Sequence, residues 1–181
     1  MSSVFQSSKI QFDRSSGRHL LCVEDEAIDL VLAKLEKSEF VYDSLKILYW
    51  CKTKNTINFP NIEQFNSLEN LEFRLVEILN RAQMGTIFHA IGSEQFVGNL
   101  LKYARSYGLS EAEISWEIVS RKTKNVYCSN CQIINSLVRD NIFICSNCGI
   151  WLEVLEHFSR LKNAYLGISA DAEIVIPSED K

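Results

Sequence analysis

The chain has 181 residues, 46% of them hydrophobic and 23% charged, which is enough apolar material for one or two domains with a real core. Asp and Glu outnumber Lys and Arg by 23 to 19, and this mildly acidic balance argues against nucleic acid as the main partner. Only 7 Gly and 2 Pro exclude a collagen-like or low-complexity chain. Because no apolar run is long enough for a membrane span and the Ser-rich start lacks the order of a secretory signal, we expect a soluble, cytoplasmic protein with no membrane partner.

After an N-terminal tail at 1–17, residues 18–120 alternate between short apolar runs and amphipathic segments. The apolar runs are typical of buried strands, and they lie at 19–24, 45–51, 86–92 and 114–120. The amphipathic segments have apolar side chains at helical spacing, and they lie at 26–40, 68–83 and 93–108. This order predicts an α/β domain whose mostly parallel sheet has helices on both faces. The stretch 55–65, which Pro60 interrupts, is predicted to be a loop.

Side chains at the helix ends support these boundaries. Asp25, Ser67 and Ser93 stand where the N-caps of the three helices are expected, because their side-chain oxygens can accept a free N–H of the first turn. Gly108 is placed to end the third helix in a left-handed conformation. Cys22 and Cys51 lie alone inside apolar runs and are predicted to be small buried residues.

The remaining cysteines indicate a second unit at 121–181. They form two copies of CSNC, at 128–131 and 145–148, and about 30 residues around them are too few to fold on a core alone. We predict a small four-cysteine unit of the zinc-ribbon or rubredoxin-like type that a metal holds together, and its ligands would be Cys128, Cys131, Cys145 and Cys148. The residues between the two copies are expected to form a hairpin, and 157–167 to form a helix or an extended arm.

Spacing does not decide which metal such a tetrad holds. Zn²⁺ is favoured and iron is the runner-up, because the same four thiolates can hold a structural zinc ion or a redox-active iron. Gly149 fits the left-handed position that follows such a turn, whereas the first copy has Gln132 there. Two separate CxxC disulfides are the alternative, although disulfides are rare in a cytosolic protein.

No catalytic site is readable in the sequence. No Ser-His-Asp or paired-carboxylate arrangement can be recognised in it, it has no Gly-rich phosphate loop with a following Lys, and no motif supports flavin. We therefore name no catalytic residue and expect no activity from the chain alone. The HFSR segment is the best candidate for a partner surface, and its residues are His157, Phe158, Ser159 and Arg160. The alternative for His157 is a packing role or support of the metal ligands, and the alternative for Arg160 is a solvated face.

The C-terminal unit contains a series of short motifs: CSNCG at 145–149, HFSR at 157–160, AYLG at 164–167 and DAE at 171–173. These motifs resemble those of the small subunit of bacterial dimethylamine monooxygenase, a haem-dependent oxidative N-demethylase complex. Upstream, RHLL at 18–21 and the stretch 84–96 also look similar to that family. The resemblance implies a subunit of a multicomponent NAD(P)H-dependent amine demethylase whose haem and oxygen chemistry belong to a different subunit.

Residues 85–119 also resemble the last βαβ unit of ferredoxin-reductase nicotinamide domains, with two departures. Ile91-Gly92-Ser93 stands where those reductases have a Cys-Gly-Pro turn, and the first strand leads into Glu24-Asp25-Glu26 instead of a Gly-rich turn. Three acidic residues would repel a phosphate at a helix N-terminus that otherwise attracts one. The resemblance implies a degenerate reductase domain, with nucleotide binding left open.

Two functional hypotheses follow. The first is a non-catalytic or electron-relay subunit of an amine monooxygenase complex, with the other subunits of that complex as its partners and with no flavin or haem on this chain. The second is a zinc-ribbon interaction or regulatory protein with no redox role, for which the basic hinge at 121–124 leaves contact with nucleic acid open.

Overall fold

A computed structural model describes residues 10, 17–37, 44–51, 57–159 and 161–170. Most of the predicted tail, the last three residues of the first predicted helix, Arg160 and the DAE motif lie outside the described residues. The chain divides into two compact units between Arg121 and Lys122, called below the N-terminal and the C-terminal unit.

The N-terminal unit is built on a five-stranded sheet in the order β3-β2-β1-β4-β5. All of its neighbouring strands are parallel, which confirms the predicted parallel sheet. Its strands are β1 (Arg18–Glu24), β2 (Leu45–Trp50), β3 (Ile62–Phe65), β4 (Thr86–Ser93) and β5 (Ile114–Ser120). The order reverses between β1 and β4, so the carboxyl ends of these two strands form the crevice where open α/β sheets usually bind ligands.

Helices cover both faces of this sheet, as predicted, and they are α1 (Ile28–Lys37), α2 (Leu68–Leu79) and α3 (Glu94–Ser106). Alternate residues of a strand point to opposite faces, and Leu21 and Val23 share one buried cluster with α1. Among the described residues, α2 and α3 contribute nothing to that cluster, and they contact each other. None of the described helices combines the length and the apolar character that crossing a bilayer requires.

Two of the three predicted N-caps are confirmed. The Ser67 hydroxyl accepts the N–H of Asn70, and the Ser93 hydroxyl accepts the N–H of Phe96. The prediction for Asp25 is wrong, because this residue lies inside a 3-10 turn that precedes α1, and its carboxylate instead accepts the Tyr49 hydroxyl at 2.5 Å. Gly108 follows α3 with a φ of +87°, as expected of a helix-ending glycine.

Part of the predicted loop at 55–65 is wrong, because residues 62–65 form β3. The predicted loop is confirmed over residues 57–61, which have no helix or strand and end in a turn at 60–61, where Asn61 has a φ of +59°, and residues 55–56 lie outside the described residues. Beyond that turn the backbone pairs with β2 at the edge of the sheet. A strand of four residues with only one neighbour needs few apolar side chains, so hydrophobic periodicity does not reveal it.

The C-terminal unit is a second five-stranded sheet, in the order β7-β6-β10-β9-β8. Its strands are β6 (Lys124–Cys128), β7 (Ile134–Val138), β8 (Ile142–Ile144), β9 (Trp151–Ser159) and β10 (Ala164–Ser169). Only β6 and β10 are parallel, and all other neighbours are antiparallel. Of the two predictions for 157–167, the helix is wrong, because the described residues of this segment form the end of β9, a turn at 161–163 and the first residues of β10.

The hairpin predicted between the two CSNC copies is also wrong. Strands β7 and β8 lie at opposite edges of the described sheet and do not pair with each other. Instead β6 pairs with β7 and β8 pairs with β9, so each CSNC turn lies at the tip of its own hairpin. Below, residues 128–131 are called the first knuckle and residues 145–148 the second.

Two buried histidines share a hydrogen bond inside the N-terminal unit. The His19 Nδ1 lies 2.9 Å from the His89 Nε2, and the His89 Nδ1 lies 2.6 Å from the Ser115 hydroxyl. Burial and the neighbouring His19 lower the pKa of His89 to about 3, so its ring is neutral at physiological pH. We interpret the row of hydrogen-bonded side chains, His19, His89 and Ser115, as a structural element of the sheet.

Candidate metal centre

The four cysteine sulfurs of the two knuckles lie within 4.8 Å of one another. Two of the sulfur–sulfur separations join different knuckles, at 3.7 Å for Cys128 and Cys148 and 3.6 Å for Cys131 and Cys145. A tetrahedron with metal–sulfur bonds of about 2.3 Å has sulfur–sulfur edges of about 3.8 Å. The arrangement therefore fits one tetrahedral ion held by two residues from each hairpin.

The disulfide alternative, in which the two cysteines of each CxxC are bonded to each other, is not found in this structure. All six cysteines are free, including the buried Cys22 and Cys51. The buried positions of Cys22 and Cys51 agree with the sequence prediction.

The two knuckles have matching backbone hydrogen bonds. In each, the carbonyl of the first cysteine accepts the N–H four residues further on, at 2.9 Å from Gln132 and 3.0 Å from Gly149. The N–H of each first cysteine in turn donates to the carbonyl five residues further on, at 2.9 Å in both knuckles. The repeated CSNC therefore builds a site with approximate twofold symmetry.

The residue after each knuckle has a left-handed backbone. Gly149 has a φ of +73°, as predicted, and Gln132 has a φ of +64° at the equivalent place. The left-handed region costs a residue with a side chain about 1–2 kcal/mol relative to glycine. The first knuckle therefore carries backbone strain that the second avoids.

This difference leads to a prediction on stability. We expect Gly149→Ala to lower the free energy of unfolding of the metal-loaded C-terminal unit by about 1 kcal/mol, because a Cβ at this position meets open space and only the backbone is strained. We expect Gln132→Gly to leave this free energy of unfolding nearly unchanged or to raise it. Glycine relieves the backbone strain of the folded state, and this gain offsets the larger conformational entropy that glycine gives to the unfolded chain. Thermal unfolding of the metal-loaded chain measures both, and Gly85→Ala, at a φ of +84° in the N-terminal unit, is the matched control. Equal stability losses of the C-terminal unit in all three variants would contradict this prediction.

Hydrogen bonds and burial act on the thiols in opposite directions. The backbone N–H of Cys148, more than any other group, lowers the pKa of Cys145 to about 6. Burial raises the pKa of Cys128 to about 11, although N–H groups of its own knuckle oppose the shift. A buried thiol that resists ionisation becomes a stable thiolate when a cation lies beside it. The donor set therefore suits a divalent or trivalent ion.

The site has an inner and an outer side. The first cysteine of each knuckle, Cys128 and Cys145, is buried, and both pack with Leu152 in one cluster. The second cysteine of each knuckle, Cys131 and Cys148, is partly exposed. Among the four sulfurs, those of Cys131 and Cys148 therefore belong to the residues that solvent or a partner can reach.

The candidate partner segment at the end of β9 is only partly exposed. His157 is exposed, whereas Phe158 is buried and packs edge-on against Tyr165, with ring centroids 5.1 Å apart. Ser159 is partly buried and its hydroxyl accepts the N–H of Lys162. The Phe158 ring therefore stabilises the sheet, and a partner role for this segment stays a prediction.

Sequence reasoning missed Asn135, which lies in β7 beside the sulfurs. Its side chain is 5% exposed, and its amide nitrogen lies 3.5 Å from the Cys145 sulfur. The sequence does contain one indication of this residue. When the two CSNC copies are aligned, the polar and apolar positions that follow them agree, except that Asn135 is aligned with the apolar Leu152.

At the crevice of the N-terminal unit, a buried carboxylate lies at the N-terminus of α3. Glu24 ends β1 and is 3% exposed, and its Oε2 accepts the N–H of Ser93 at 2.6 Å. Ser93 is the N-cap of α3, so this carboxylate lies at the positive end of that helix. A Cβ on Gly92 would lie 2.7 Å from the Glu24 Cβ, which shows how closely the backbone packs on this side chain.

Comparison with family models matches both units. The N-terminal domain of the family described as dimethylamine monooxygenase subunit DmmA-like matches residues 1–114, and the C-terminal domain of the same family matches residues 125–168. A heme-dependent oxidative N-demethylase delta subunit of Ectopseudomonas mendocina (strain ymp) is 34% identical over 112 residues. That match covers 62% of this chain and 64% of the relative's length.

Solved structures give more distant matches. The ferredoxin reductase of carbazole 1,9a-dioxygenase is 16% identical, with a TM-score of 0.40, and the match covers 59% of this chain and 34% of that one. An intact type IV self-sufficient cytochrome P450 monooxygenase is 13% identical, with a TM-score of 0.48, over 91% of this chain and 22% of that one.

Proposed function

Because the chain belongs to the family described as dimethylamine monooxygenase subunit DmmA-like, we propose that it is a non-catalytic or electron-relay subunit of an amine monooxygenase complex. The observation that carries the proposal is the four-sulfur cluster at the tips of two hairpins, in a chain whose N-terminal and C-terminal parts both match that family. Its partners are the other subunits of that complex.

The metal is proposed to be Zn²⁺, held by Cys128, Cys131, Cys145 and Cys148. The sulfur separations and the N–H donors to Cys145 and Cys128 suit a thiolate site for zinc, and they suit iron equally. A zinc ion would fix the shape of the C-terminal unit for docking, whereas an iron ion would also carry an electron. In both cases the partly exposed Cys131 and Cys148 define the side from which a partner approaches.

The N-terminal unit is proposed to act as a scaffold without a dinucleotide. The positive end of α3 is the place where a pyrophosphate would bind in such a crevice. Glu24 already presents a carboxylate oxygen to the first amide of that helix, and a second anion would be repelled. This geometry supports placing the nicotinamide dinucleotide of the complex on another chain.

The decisive experiment is purification of the full chain with the other subunits of its monooxygenase, followed by metal analysis and a visible spectrum. We expect co-elution and one metal ion per chain, colourless if the metal is zinc. A red protein that bleaches on reduction would assign iron and the relay role. A chain that binds metal but never co-elutes would favour the zinc-ribbon interaction protein with no redox role, and a folded chain without stoichiometric metal would refute the metal site.

A further inference from the structure

We propose that Asn135 is a positioning residue that ties the two knuckles together and makes the thiolate of Cys145 different from that of Cys128. The inference rests on the proposed metal site and extends it to a residue that is not a ligand. It concerns the electron density on one sulfur and therefore the affinity of the site for its metal.

The Asn135 side chain bridges the first hairpin and the second knuckle. Its amide nitrogen lies 3.5 Å from the Cys145 sulfur and 3.5 Å from the Val126 carbonyl oxygen. Its oxygen accepts both the backbone N–H and the hydroxyl of Ser146, each at 2.8 Å. Because these contacts use the donor and the acceptor of one buried amide, the orientation of that amide is determined by the contacts themselves.

The other half of the site has no such side chain at the equivalent position. Cys145 follows Cys128 by 17 residues, so Leu152 is the counterpart of Asn135. The strand pairing agrees, because Asn135 lies opposite Val126, two residues before the first knuckle, and Leu152 lies opposite Phe143, two residues before the second. The side chain of Leu152 is fully buried, and because it is a hydrocarbon it can neither donate nor accept a hydrogen bond.

The residues that follow the first cysteines show the same asymmetry. The N–H of Ser129 donates to the backbone carbonyl of Gly167 at 2.9 Å, a contact supplied by β10. The N–H of Ser146 donates instead to the side chain of Asn135. The second knuckle therefore depends on a side chain where the first depends on backbone alone.

An N–H donor aimed at a thiolate withdraws electron density from the sulfur and stabilises the ionised form over the thiol. Groups that orient and hydrogen-bond metal ligands typically change metal affinity about 10- to 100-fold when they are removed. Removal of the Asn135 donor should therefore weaken metal binding and leave Cys145 the more electron-rich sulfur.

The test uses the full chain, with zinc affinity measured by chelator competition and with the cobalt-substituted protein observed by its sulfur-to-metal charge-transfer absorption. Asn135→Leu introduces the residue that the second hairpin has at the equivalent position, Leu152, and removes both the donor to the Cys145 sulfur and the acceptor for Ser146. Asn135→Asp keeps an acceptor for Ser146 and removes the donor to sulfur. Ser146→Ala is the matched control, because it removes one contact of the Asn135 oxygen and leaves the donor to Cys145 in place.

We expect both Asn135 variants to lower zinc affinity about 10- to 100-fold and to move the charge-transfer band to lower energy. The Ser146→Ala variant should keep the charge-transfer band in place and its zinc affinity within about threefold of wild type. This change is smaller than the range expected when a group that hydrogen-bonds a metal ligand is removed. If Asn135→Leu does not fold, Asn135→Asp decides the result. Unchanged affinity and band position in Asn135→Asp, or an equal band shift in Ser146→Ala, would overturn the inference. If the wild-type chain binds neither zinc nor cobalt, the proposed metal site itself is wrong.

Discussion

Replacement of Cys145 by serine is expected to unfold the C-terminal unit and to lower the metal content of the purified chain far below one ion. The sulfurs themselves form much of one interior cluster, in which Cys128, Cys145 and Leu152 are the buried members. In small metal-bound units the metal contributes about 10–16 kcal/mol, which exceeds the whole stability of many domains. A site with three thiolates keeps too little of that free energy to hold the unit folded.

Removal of the metal from the wild-type chain by a strong chelator should give the same result. Elemental analysis measures the metal, and hydrogen exchange resolved along the sequence measures the order of each unit. Protection should disappear from residues 124–169 and persist in the sheet of the N-terminal unit. A C-terminal unit that stays protected without metal would contradict the prediction.

Cys22→Ala is the matched control for the loss of a cysteine. Cys22 is fully buried in β1, and burial holds its thiol pKa far above the ordinary value, so it is an uncharged core side chain. Its truncation should cost the N-terminal unit about 1 kcal/mol, in line with the loss of a small core group. The metal content should not change.

Replacement of Glu24 by alanine should give the second largest effect, a loss of about 2–3 kcal/mol from the stability of the N-terminal unit. The variant leaves the N–H of Ser93, which lies in a partly buried contact, without the carboxylate that accepts it at 2.6 Å, and a donor that loses its partner away from water costs about 1–3 kcal/mol. The carboxylate also compensates the positive end of α3, which adds to the loss.

Urea unfolding monitored in the N-terminal unit measures the effect. Glu24→Gln retains an acceptor oxygen and should lose about 1 kcal/mol, because only the charge is removed. Glu26→Ala, at an exposed position in the same acidic turn, should stay within about 0.5 kcal/mol of wild type. Equal stability of the Glu24→Ala and Glu26→Ala variants would show that the contact with Ser93 contributes little.

The same variants test whether the crevice takes a nucleotide. We expect no NAD(P)H binding by the wild-type chain in a fluorescence titration, because Glu24 occupies the anion position at α3. Micromolar binding by the wild type would refute the proposed loss of the dinucleotide. Weak phosphate binding that appears only in Glu24→Ala would support the interpretation of the carboxylate as an internal ligand.

Local signals in the sequence were sufficient for much of the fold. Helices α2 and α3 start where Ser67 and Ser93 cap them, because an N-cap depends on residues within one turn. The alternation of apolar runs with helices predicted the parallel sheet, since a parallel pair needs a crossover connection. The edge strand β3 was missed because a single hydrogen-bonded neighbour, β2, defines it.

The sequence by itself determined the four metal ligands that we propose, because the spacing inside each CSNC places two sulfurs on one turn. Only the tertiary structure decided that each knuckle lies at the tip of its own hairpin, that Asn135 contacts Cys145, and that Glu24 contacts Ser93. The last contact joins residues 69 positions apart, and no periodic pattern in the sequence predicts it. Such contacts form only when the strands pair in a particular order, and that order depends on the packing of the whole sheet.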